Sequence, residues 1–406
     1  MRLSRRISLT CVVIWMVGAG VGSWATIQSW AVGADGLVRL LGNFAWIVSL
    51  PGWATAYVIH VGGLGDGKSD PSSILLANIF GWGYLVIGWL VLWKVRGLFA
   101  GKRFDSVRDD GLVNPGRRAF MANSTFGGVA VAAAGAPGYA TLVEPWSIKV
   151  REYSVPIEGL ARSLAGLRIV QVSDTHLGPR IPESFVVEAY RMALDLKPDL
   201  IVLTGDHVHD GVKENQRAAD LCKPLVARCP MGVVGVLGNH DWWGDGDELS
   251  SMLSGVGVGM IDNDRVWIDP VTRSVVGSDP GYPSLAVVGL GDLTDDVVDP
   301  VRAFRGVDVG TPRLVLAHNP DTAEIHALTQ QDSPRVDLML SGHTHGGQVR
   351  IPFLGTPIVP SWYGQKYAGG LVDGPAFRVL ISRGVGMSML PVRVGVPPEI
   401  GVITLV

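Results

Sequence analysis

The sequence predicts an α/β fold, with layered β-sheets flanked by helices, preceded by a region of transmembrane helices. Mean hydropathy is positive at +0.29 over 406 residues, and eight of the 13 tryptophans precede residue 94. From about residue 145, short apolar runs alternate with amphipathic stretches, which is the pattern of buried strands and helices. We therefore predict a membrane region over 1–141 and an α/β domain over 142–406.

Three uncharged apolar segments in the first part are long enough to cross a bilayer, which takes about 20 helical residues. They cover residues 7–30, 40–61 and 72–93. Pro51 and Gly52 weaken the second segment as a simple span. A fourth run at 122–140 is rich in Ala and Gly and only marginally long. Because a cleaved signal peptide would explain only the first segment, we expect three to four membrane helices.

The basic segments leave the side of the membrane open. Residues 1–6 carry Arg, and residues 94–118 carry Lys and Arg, and both kinds of side chain favour the cytoplasm. If the segment 40–61 does not span the membrane, both basic segments stay in the cytoplasm and the segment 122–140 carries the domain to the outside. We favour this arrangement because residues 94–118 carry the larger positive bias. If all four segments cross, the domain is cytoplasmic. The pair Arg117–Arg118 fits an internal twin-arginine export signal and an ordinary basic flank equally well.

In the second part, five elements follow in the order strand, helix, strand, helix, strand. They are predicted at 167–172, 184–196, 199–204, 215–227 and 232–238. Further buried strands are predicted in SLAVVGLG, PRLVLAH, VDLMLSG and the C-terminal tail. Three cysteines are too few for a disulfide framework, and we interpret Cys222 and Cys229 as small buried residues.

Polar and ionisable side chains directly follow five of these strands. They are Asp174 and His176 in QVSDTHLG, Asp206 in VLTGDHVHD, Asn239, His240 and Asp241 in VLGNHDWW, His318 in LVLAHNPD, and His343 and His345 in LSGHTHGGQ. Each block alone is explained by a turn, a helix cap or a hydrogen-bonded core histidine. Together they would meet at the carboxyl edge of a parallel sheet, where their burial requires a compensating cation.

The donor atoms indicate which cation. Imidazole, carboxylate and carboxamide groups without thiolate fit Mn, Fe, Zn or Co. There are more candidate ligands than a tetrahedral structural zinc needs. Two divalent ions, about 3.5–4 Å apart and bridged by one carboxylate, would use them all. His343 and His345 are expected to point to opposite sides of an extended segment and so to serve different ions.

The blocks D-x-H, G-D, G-N-H-D, H and G-H-x-H occur in this order, and the set resembles the calcineurin-like metallophosphoesterases over about residues 150–406. The closer resemblance is to a membrane-associated bacterial branch that includes phosphodiesterases and UDP-diacylglucosamine pyrophosphatases. The resemblance implies seven metal ligands in two groups joined by a bridging carboxylate. The first ion would be held by Asp174, His176 and His345, the second by Asn239, His318 and His343, and Asp206 would bridge them.

The resemblance also implies a proton donor. His240 would protonate the leaving oxygen or stabilise the phosphoryl group, oriented by Asp241. The two histidines in GDHVHD depart from the family pattern. We expect them to face solvent, with outer contacts to the site as the alternative. Trp242 and Trp243 are expected at the rim of the site, with simple packing as the alternative.

We predict a membrane-anchored hydrolase in which a metal-bridged hydroxide attacks a phosphodiester or pyrophosphate, with Mn as the favoured metal. A membrane location suits a lipid- or nucleotide-linked substrate. With 34 basic and 37 acidic residues, the chain shows no sign of nucleic-acid recognition. The alternatives are a phosphomonoesterase with the same metal site or a catalytically silent membrane receptor or scaffold, although no ligand is missing. A transporter is disfavoured because the apolar segments carry almost no ionisable residues.

Overall fold

The structure is a computed structural model that describes residues 139–388 and 391–406. Residues Ala140–Val406 form one compact unit. The predicted membrane segments at 7–30, 40–61 and 72–93, and 122–140 up to residue 138, lie outside the described residues. In the part of the chain that is described, no helix is both long and apolar enough to span a bilayer.

The strands of the described region form two sheets. The first contains, in spatial order, β1 (Lys149–Val155), β13 (Glu399–Leu405), β2 (Arg168–Val172), β3 (Leu200–Thr204), β4 (Val233–Val236) and β5 (Val258–Met260). The second contains β11 (Gly370–Asp373), β12 (Arg378–Ile381), β10 (Leu338–Ser341), β9 (Arg313–Leu316), β8 (Leu285–Gly289), β6 (Arg265–Asp269) and β7 (Ser274–Val276). Strands β2 to β5 run parallel to one another, and so do β8, β9, β10 and β12.

Six α-helical segments accompany the sheets in the described region after residue 149. They are α1 (Glu183–Asp195), α2 (Asn215–Arg228), α3 (Asn239–Trp242), α4 (Gly246–Gly255), α5 (Pro300–Ala303) and α6 (His326–Thr329). Helix α4 begins where the Asp245 side chain accepts a hydrogen bond from the Glu248 amide at 2.9 Å, the usual way to satisfy a free amide of the first turn. Helix α1 buries one apolar face, which includes Phe185, Ala189 and Ala193.

Alternating side chains along the central strands divide the core into layers. Ile169 and Val202 lie in the apolar layer between the two sheets. Val170 and Leu203 point the other way, toward α1, α2 and α4. A third apolar cluster, which contains Met339, covers the outer face of the second sheet. The order of layers is therefore helices, sheet, sheet and short helical segments, which confirms the predicted layered α/β fold.

The predicted elements of the first half of the domain match the structure closely. Strands β2, β3 and β4 and helices α1 and α2 occupy the predicted ranges to within two residues at each end. Both cysteines of the domain are buried and free, as interpreted. The division into two sheets changes the position of the site, because the candidate ligands follow strands of both sheets and not the edge of one.

Candidate metal centre

The candidate ligands that follow β2 and β3 lie directly after the ends of these strands. Asp174 and His176 follow β2, and Asp206 follows β3. The Asp174 amide donates to the Gly205 carbonyl at 2.9 Å, and the His176 amide donates to the Asp206 carbonyl at 3.0 Å. These bonds continue the β2–β3 pairing past the strand ends, so the side chains of all three candidates remain together.

Five of the candidate ligands adopt a left-handed backbone. These are Asp174, His176, Asp206, His343 and His345, with φ between 46° and 69°. Such a conformation costs about 1–3 kcal/mol for a residue other than glycine and tends to occur at functional sites. His343 and His345 therefore do not lie on an extended segment, and that part of our reasoning is wrong. They still face different groups of side chains.

The first group contains Asp174, His176, Asp206 and His345, whose potential ligand atoms all lie within 4.8 Å of one another. The Nε2 atoms of His176 and His345 are 2.8 Å apart. His345 Nε2 lies 3.4 Å from Asp174 Oδ1, and His176 Nε2 lies 3.4 Å from Asp206 Oδ2. All four side chains are buried, so their lone pairs converge on a point that water reaches poorly.

The second group contains Asp206, His318 and His343, again within 4.8 Å. His318 Nδ1 donates to the Thr204 carbonyl at 2.7 Å. This bond turns His318 Nε2 toward Asp206 Oδ2, which lies 3.2 Å away. Asn239 Oδ1 is 2.9 Å from His343 Nδ1, so the carboxamide joins this group. Asp206 belongs to both groups.

Burial and mutual charge set the protonation of these groups. Burial raises the pKa of Asp174 to about 6. Burial also acts to raise the pKa of Asp206, but the charge of His318 outweighs it and holds that pKa well below its usual range. Burial lowers the pKa of His176 and of His345, which keeps both imidazoles neutral. At His176 and His345 this is the protonation state that a divalent cation requires. At His318 burial lowers the pKa but the charge of Asp206 raises it well above its usual range, so an ion bound there would have to displace the proton on Nε2.

The donor set therefore fits a divalent metal ion. It offers imidazole nitrogens, carboxylate oxygens and one carboxamide oxygen, with no thiolate among the described groups. These donors suit Mn, Fe, Zn or Co. Two glycines permit the close approach: a Cβ on Gly238 would collide with Asp206 Oδ1, and a Cβ on Gly342 would collide with Asp174 Oδ2.

His240 lies beside the first group without being part of it. Its ring packs edge-to-face on that of His176, with centroids 4.6 Å apart. Its Nδ1 lies 2.5 Å from the carbonyl oxygen of His209, to which it donates, and its Nε2 lies 3.3 Å from Ser388 Oγ. The ring of Trp243, which is more than half exposed, lies 3.8 Å from the His240 ring by centroid. Trp243 thus occupies the expected place at the rim.

Asp241 does not orient His240 by direct contact, which corrects our expectation. Its Oδ1 accepts from the amides of His207 and Val208 at 2.8 and 3.1 Å. Its Oδ2 lies 2.9 Å from His207 Nδ1 and accepts from the Gly238 amide at 2.9 Å. Residues 239–242 form a helical turn, on which neighbouring side chains diverge. Asp241 instead binds the backbone amides of His207 and Val208, which precede His209, and the carbonyl of His209 accepts the hydrogen bond from His240.

The two histidines of GDHVHD are not solvent-facing, which is a second correction. His207 is buried against Asp241. His209 is partly buried, with its Nδ1 3.5 Å from His176 Nδ1 and its ring stacked on His240 at 5.1 Å. The only sequence signal for this was the density of histidines after a predicted ligand. Trp242 packs against the core near α2 and α4, so simple packing explains it.

Comparison with known proteins agrees with the geometry. The calcineurin-like phosphoesterase family matches residues 167–347. The chain is 32% identical over 309 residues to the metallophosphoesterase YkuE of Bacillus subtilis, covering 71% of this chain and 97% of that protein. It is 32% identical over 246 residues to the phosphodiesterase YaeI of Escherichia coli, covering 60% of this chain and 83% of that protein.

A third relative is the UDP-2,3-diacylglucosamine pyrophosphatase LpxG of Chlamydia trachomatis. It is 30% identical over 308 residues, covering 64% of this chain and 90% of that protein. The family match spans all five motif blocks that supply the candidate ligands. The chain therefore belongs to the calcineurin-like metallophosphoesterase family and is a phosphate-ester hydrolase.

Proposed function

We propose that the protein is a membrane-anchored phosphoesterase that uses two divalent metal ions, with Mn favoured, to hydrolyse a phosphodiester or pyrophosphate. One observation carries the proposal: Asp206 belongs to both groups of ligand atoms, and each group combines residues that follow strands of both sheets. A carboxylate shared in this way is the arrangement that two-metal hydrolases use.

The first ion would be bound by Asp174, His176 and His345, the second by Asn239, His318 and His343, with Asp206 between them. When bound, the ions would activate water and neutralise charge on the phosphoryl oxygens. Supply of a proton and exclusion of water are proposed for the side chains around the ligands.

His240 is proposed to supply the proton that the leaving oxygen needs. Because its Nδ1 proton is engaged by the His209 carbonyl, the ring is held in one orientation, and Nε2, which lies 3.3 Å from Ser388 Oγ, would carry the proton that is transferred. Asp241 would act as a positioning residue, since it holds the backbone of His207 and Val208 just before that carbonyl. Trp243 would limit access of water on the exposed side.

The proposed substrate class rests on the relatives. YaeI is named a phosphodiesterase, and LpxG is named a pyrophosphatase of UDP-2,3-diacylglucosamine. A diester or pyrophosphate is therefore proposed for this chain, and the apolar segments before residue 141 favour a substrate that is lipid- or nucleotide-linked.

The test is hydrolysis by the purified full chain loaded with Mn. Bis(p-nitrophenyl) phosphate, p-nitrophenyl phosphate and a nucleotide–lipid pyrophosphate would be compared, with metal content measured on the same samples. We expect two ions per chain, preference for the diester or pyrophosphate, and loss of both ions and activity in Asp206→Asn. One ion in fully active protein would contradict the dinuclear site, and preference for the monoester would favour a phosphomonoesterase.

Membrane anchoring is tested separately by reporter fusions after residues 33, 66, 105 and 150. Alkaline phosphatase activity at 150 with none at 105 would support a domain outside the cytoplasm. Fluorescence of a cytoplasmic reporter at 150 would place it inside, and release of the protein from membranes by carbonate would contradict the anchor itself.

A further inference from the structure

An exposed apolar loop follows the last ligand block. We call residues 351–363 the apolar loop. Its exposed large side chains are Ile351, Phe353, Leu354, Ile358, Trp362 and Tyr363. So many exposed large apolar side chains within one short loop are unusual on a soluble surface and indicate a place of interaction.

The tip of the apolar loop is built to present Phe353. Ile351 and Gly355 bond across a tight turn, with the Ile351 amide 2.8 Å from the Gly355 carbonyl. Phe353 lies in this turn with φ of 67° and a fully exposed ring. A left-handed backbone at a bulky residue raises the free energy of the folded state, and the Phe353 ring makes up for this with no buried contact in the described structure.

Both ends of the apolar loop are fixed to segments that carry candidate ligands. Near its start, Gly347, two residues after His345, packs so closely on the Ile358 backbone that a Cβ would collide with it. Near its end, the Ser361 hydroxyl and the Trp362 amide donate to Asp321 at 2.6 and 2.8 Å. Asp321 is the last residue of the ligand block LVLAHNPD, so the loop is fixed to two segments that carry candidate ligands.

The domain also begins next to the base of this loop. The Arg393 amide donates to the Ala140 carbonyl at 3.0 Å, and the next residue, Val394, accepts from the Arg350 amide at 2.7 Å. Arg393 in turn reaches the metal centre, with its Nη2 3.4 Å from His345 Nδ1. The first residues of the domain, the base of the apolar loop and the metal centre are therefore linked through Arg393 and Val394.

Two features favour lipid as the partner of this surface. The fourth predicted apolar run, 122–140, ends where the described domain begins, so the chain offers almost no spacer between a membrane segment and the loop's base. Near its end, the loop carries the exposed aromatic side chains of Trp362 and Tyr363. Indole and phenol groups are typical of the bilayer interface.

We propose that the apolar loop, together with the exposed Leu142 and Val143 at the start of the domain, inserts into the interfacial layer of a lipid bilayer. Insertion would hold the mouth of the metal centre at the depth of phosphate groups and admit a lipid-embedded phosphate ester. The catalytic part of this inference rests on the proposed phosphoesterase function, whereas the insertion itself does not.

The insertion is tested with the full chain in nanodiscs. An environment-sensitive fluorophore would be attached at Phe353→Cys in a Cys11→Ser background, since Cys222 and Cys229 are buried. The matched control is Val309→Cys, an exposed site shortly before the amino end of β9 and so away from the metal centre. Lipids with a nitroxide near the head group should quench the label at 353 and leave the label at 309 unchanged.

The consequence for catalysis is tested with two substrates that share a leaving group. Phe353→Ser and Leu354→Ser should each lower kcat/KM on hexadecyl p-nitrophenyl phosphate in nanodiscs by about tenfold, because each removes one large apolar side chain from the lipid contact. Soluble bis(p-nitrophenyl) phosphate should be hydrolysed at the unchanged rate, as should both substrates by Val309→Ser.

The outcomes separate the two proposals. Absence of hydrolysis on both substrates by the unsubstituted chain defeats the phosphoesterase proposal, and the quenching result still decides the insertion. An unquenched label at 353 overturns the insertion, and a blue shift there without quenching identifies a protein partner or a second copy as the occupant. Equal loss on both substrates would show that the loop supports the site and not the lipid contact.

Discussion

The substitution Asp241→Asn probes whether His240 is held in place through the backbone of its neighbours. The Asp241 side chain is fully buried, and both of its oxygens accept hydrogen bonds. The asparagine side chain keeps one acceptor oxygen but has an NH2 group in place of the other. That NH2 group would face groups that themselves donate hydrogen bonds. The substitution therefore removes hydrogen bonds without changing the volume of the side chain.

The magnitude follows from the bonds that remain. If the amide oxygen stays with the amides of His207 and Val208, the amide nitrogen faces His207 Nδ1 and the Gly238 amide. His207 can turn into an acceptor by changing tautomer, but the Gly238 amide is left without a partner. One lost charge-assisted bond and one buried unpaired N–H together cost about 3–5 kcal/mol of unfolding free energy.

The assay is the urea dependence of labelling at Cys222, whose thiol is buried in the native domain. Asp195→Asn is the matched control, since that carboxylate is exposed and pairs with Arg191, and should change the unfolding free energy by less than about 0.5 kcal/mol. Turnover is measured in a double-mutant cycle with His240→Ala. Asp241→Asn should slow the unsubstituted enzyme strongly and the His240→Ala enzyme hardly at all. Additive losses in turnover would refute the idea that Asp241 acts through His240.

Four further outcomes are expected. His240→Ala should lower turnover by about 10²–10⁴-fold while metal content stays near that of the unsubstituted chain; metal depletion equal to that of Asp206→Asn would make His240 a ligand. Gly238→Ala should reduce metal content, because the added methyl group collides with the Asp206 carboxylate, and full occupancy with normal turnover would contradict this contact. Chelation should lower the unfolding free energy, measured from the urea dependence of Cys222 labelling, by about 2–3 kcal/mol per site when the ion was present at a hundredfold its Kd, and should leave that of Asp206→Asn unchanged. Burial raises the pKa of the Cys222 thiol to about 12 and that of Cys229 to about 11, so the native state holds these protons when the unfolded state has lost them. Stability from both thiols should be present below pH 9 and decline as the pH rises through 11 and 12, and rapid thiol labelling of the native Cys11→Ser chain at pH 9 would contradict their burial.

The sequence predicts the buried strands well because each combines a continuous apolar run with a polar end. Strands β2, β3 and β4 are all fully or almost fully buried, so the continuous apolar runs and the polar residues that end them predict these strands correctly. The sequence cannot separate the two sheets, since a buried parallel strand has the same composition in either sheet. Strands β5 and β7 have three residues each, too few for a period to appear.

The candidate ligands were predictable for the same reason: each lies directly behind a buried strand. The partner of Asp241 was not, because the family motif suggested that Asp241 orients His240, a contact that a helical turn forbids between neighbouring residues. The burial of His207 depends on that same contact and was missed with it. The apolar loop resembles an ordinary Pro- and Gly-containing connection in sequence, and only the exposure of its side chains distinguishes it.

The metal centre concentrates features that would each destabilise a domain. Five left-handed residues at about 1–3 kcal/mol each amount to a cost comparable with the whole stability of an ordinary domain, about 5–15 kcal/mol. The buried carboxylates and imidazoles add a desolvation cost that they relieve only in part through one another. The two sheets can sustain this because their apolar layers are continuous up to the strand ends. It follows that the sheets hold the ligands in place against the strain of their backbone, and that a bound cation would relieve the charge that burial concentrates there.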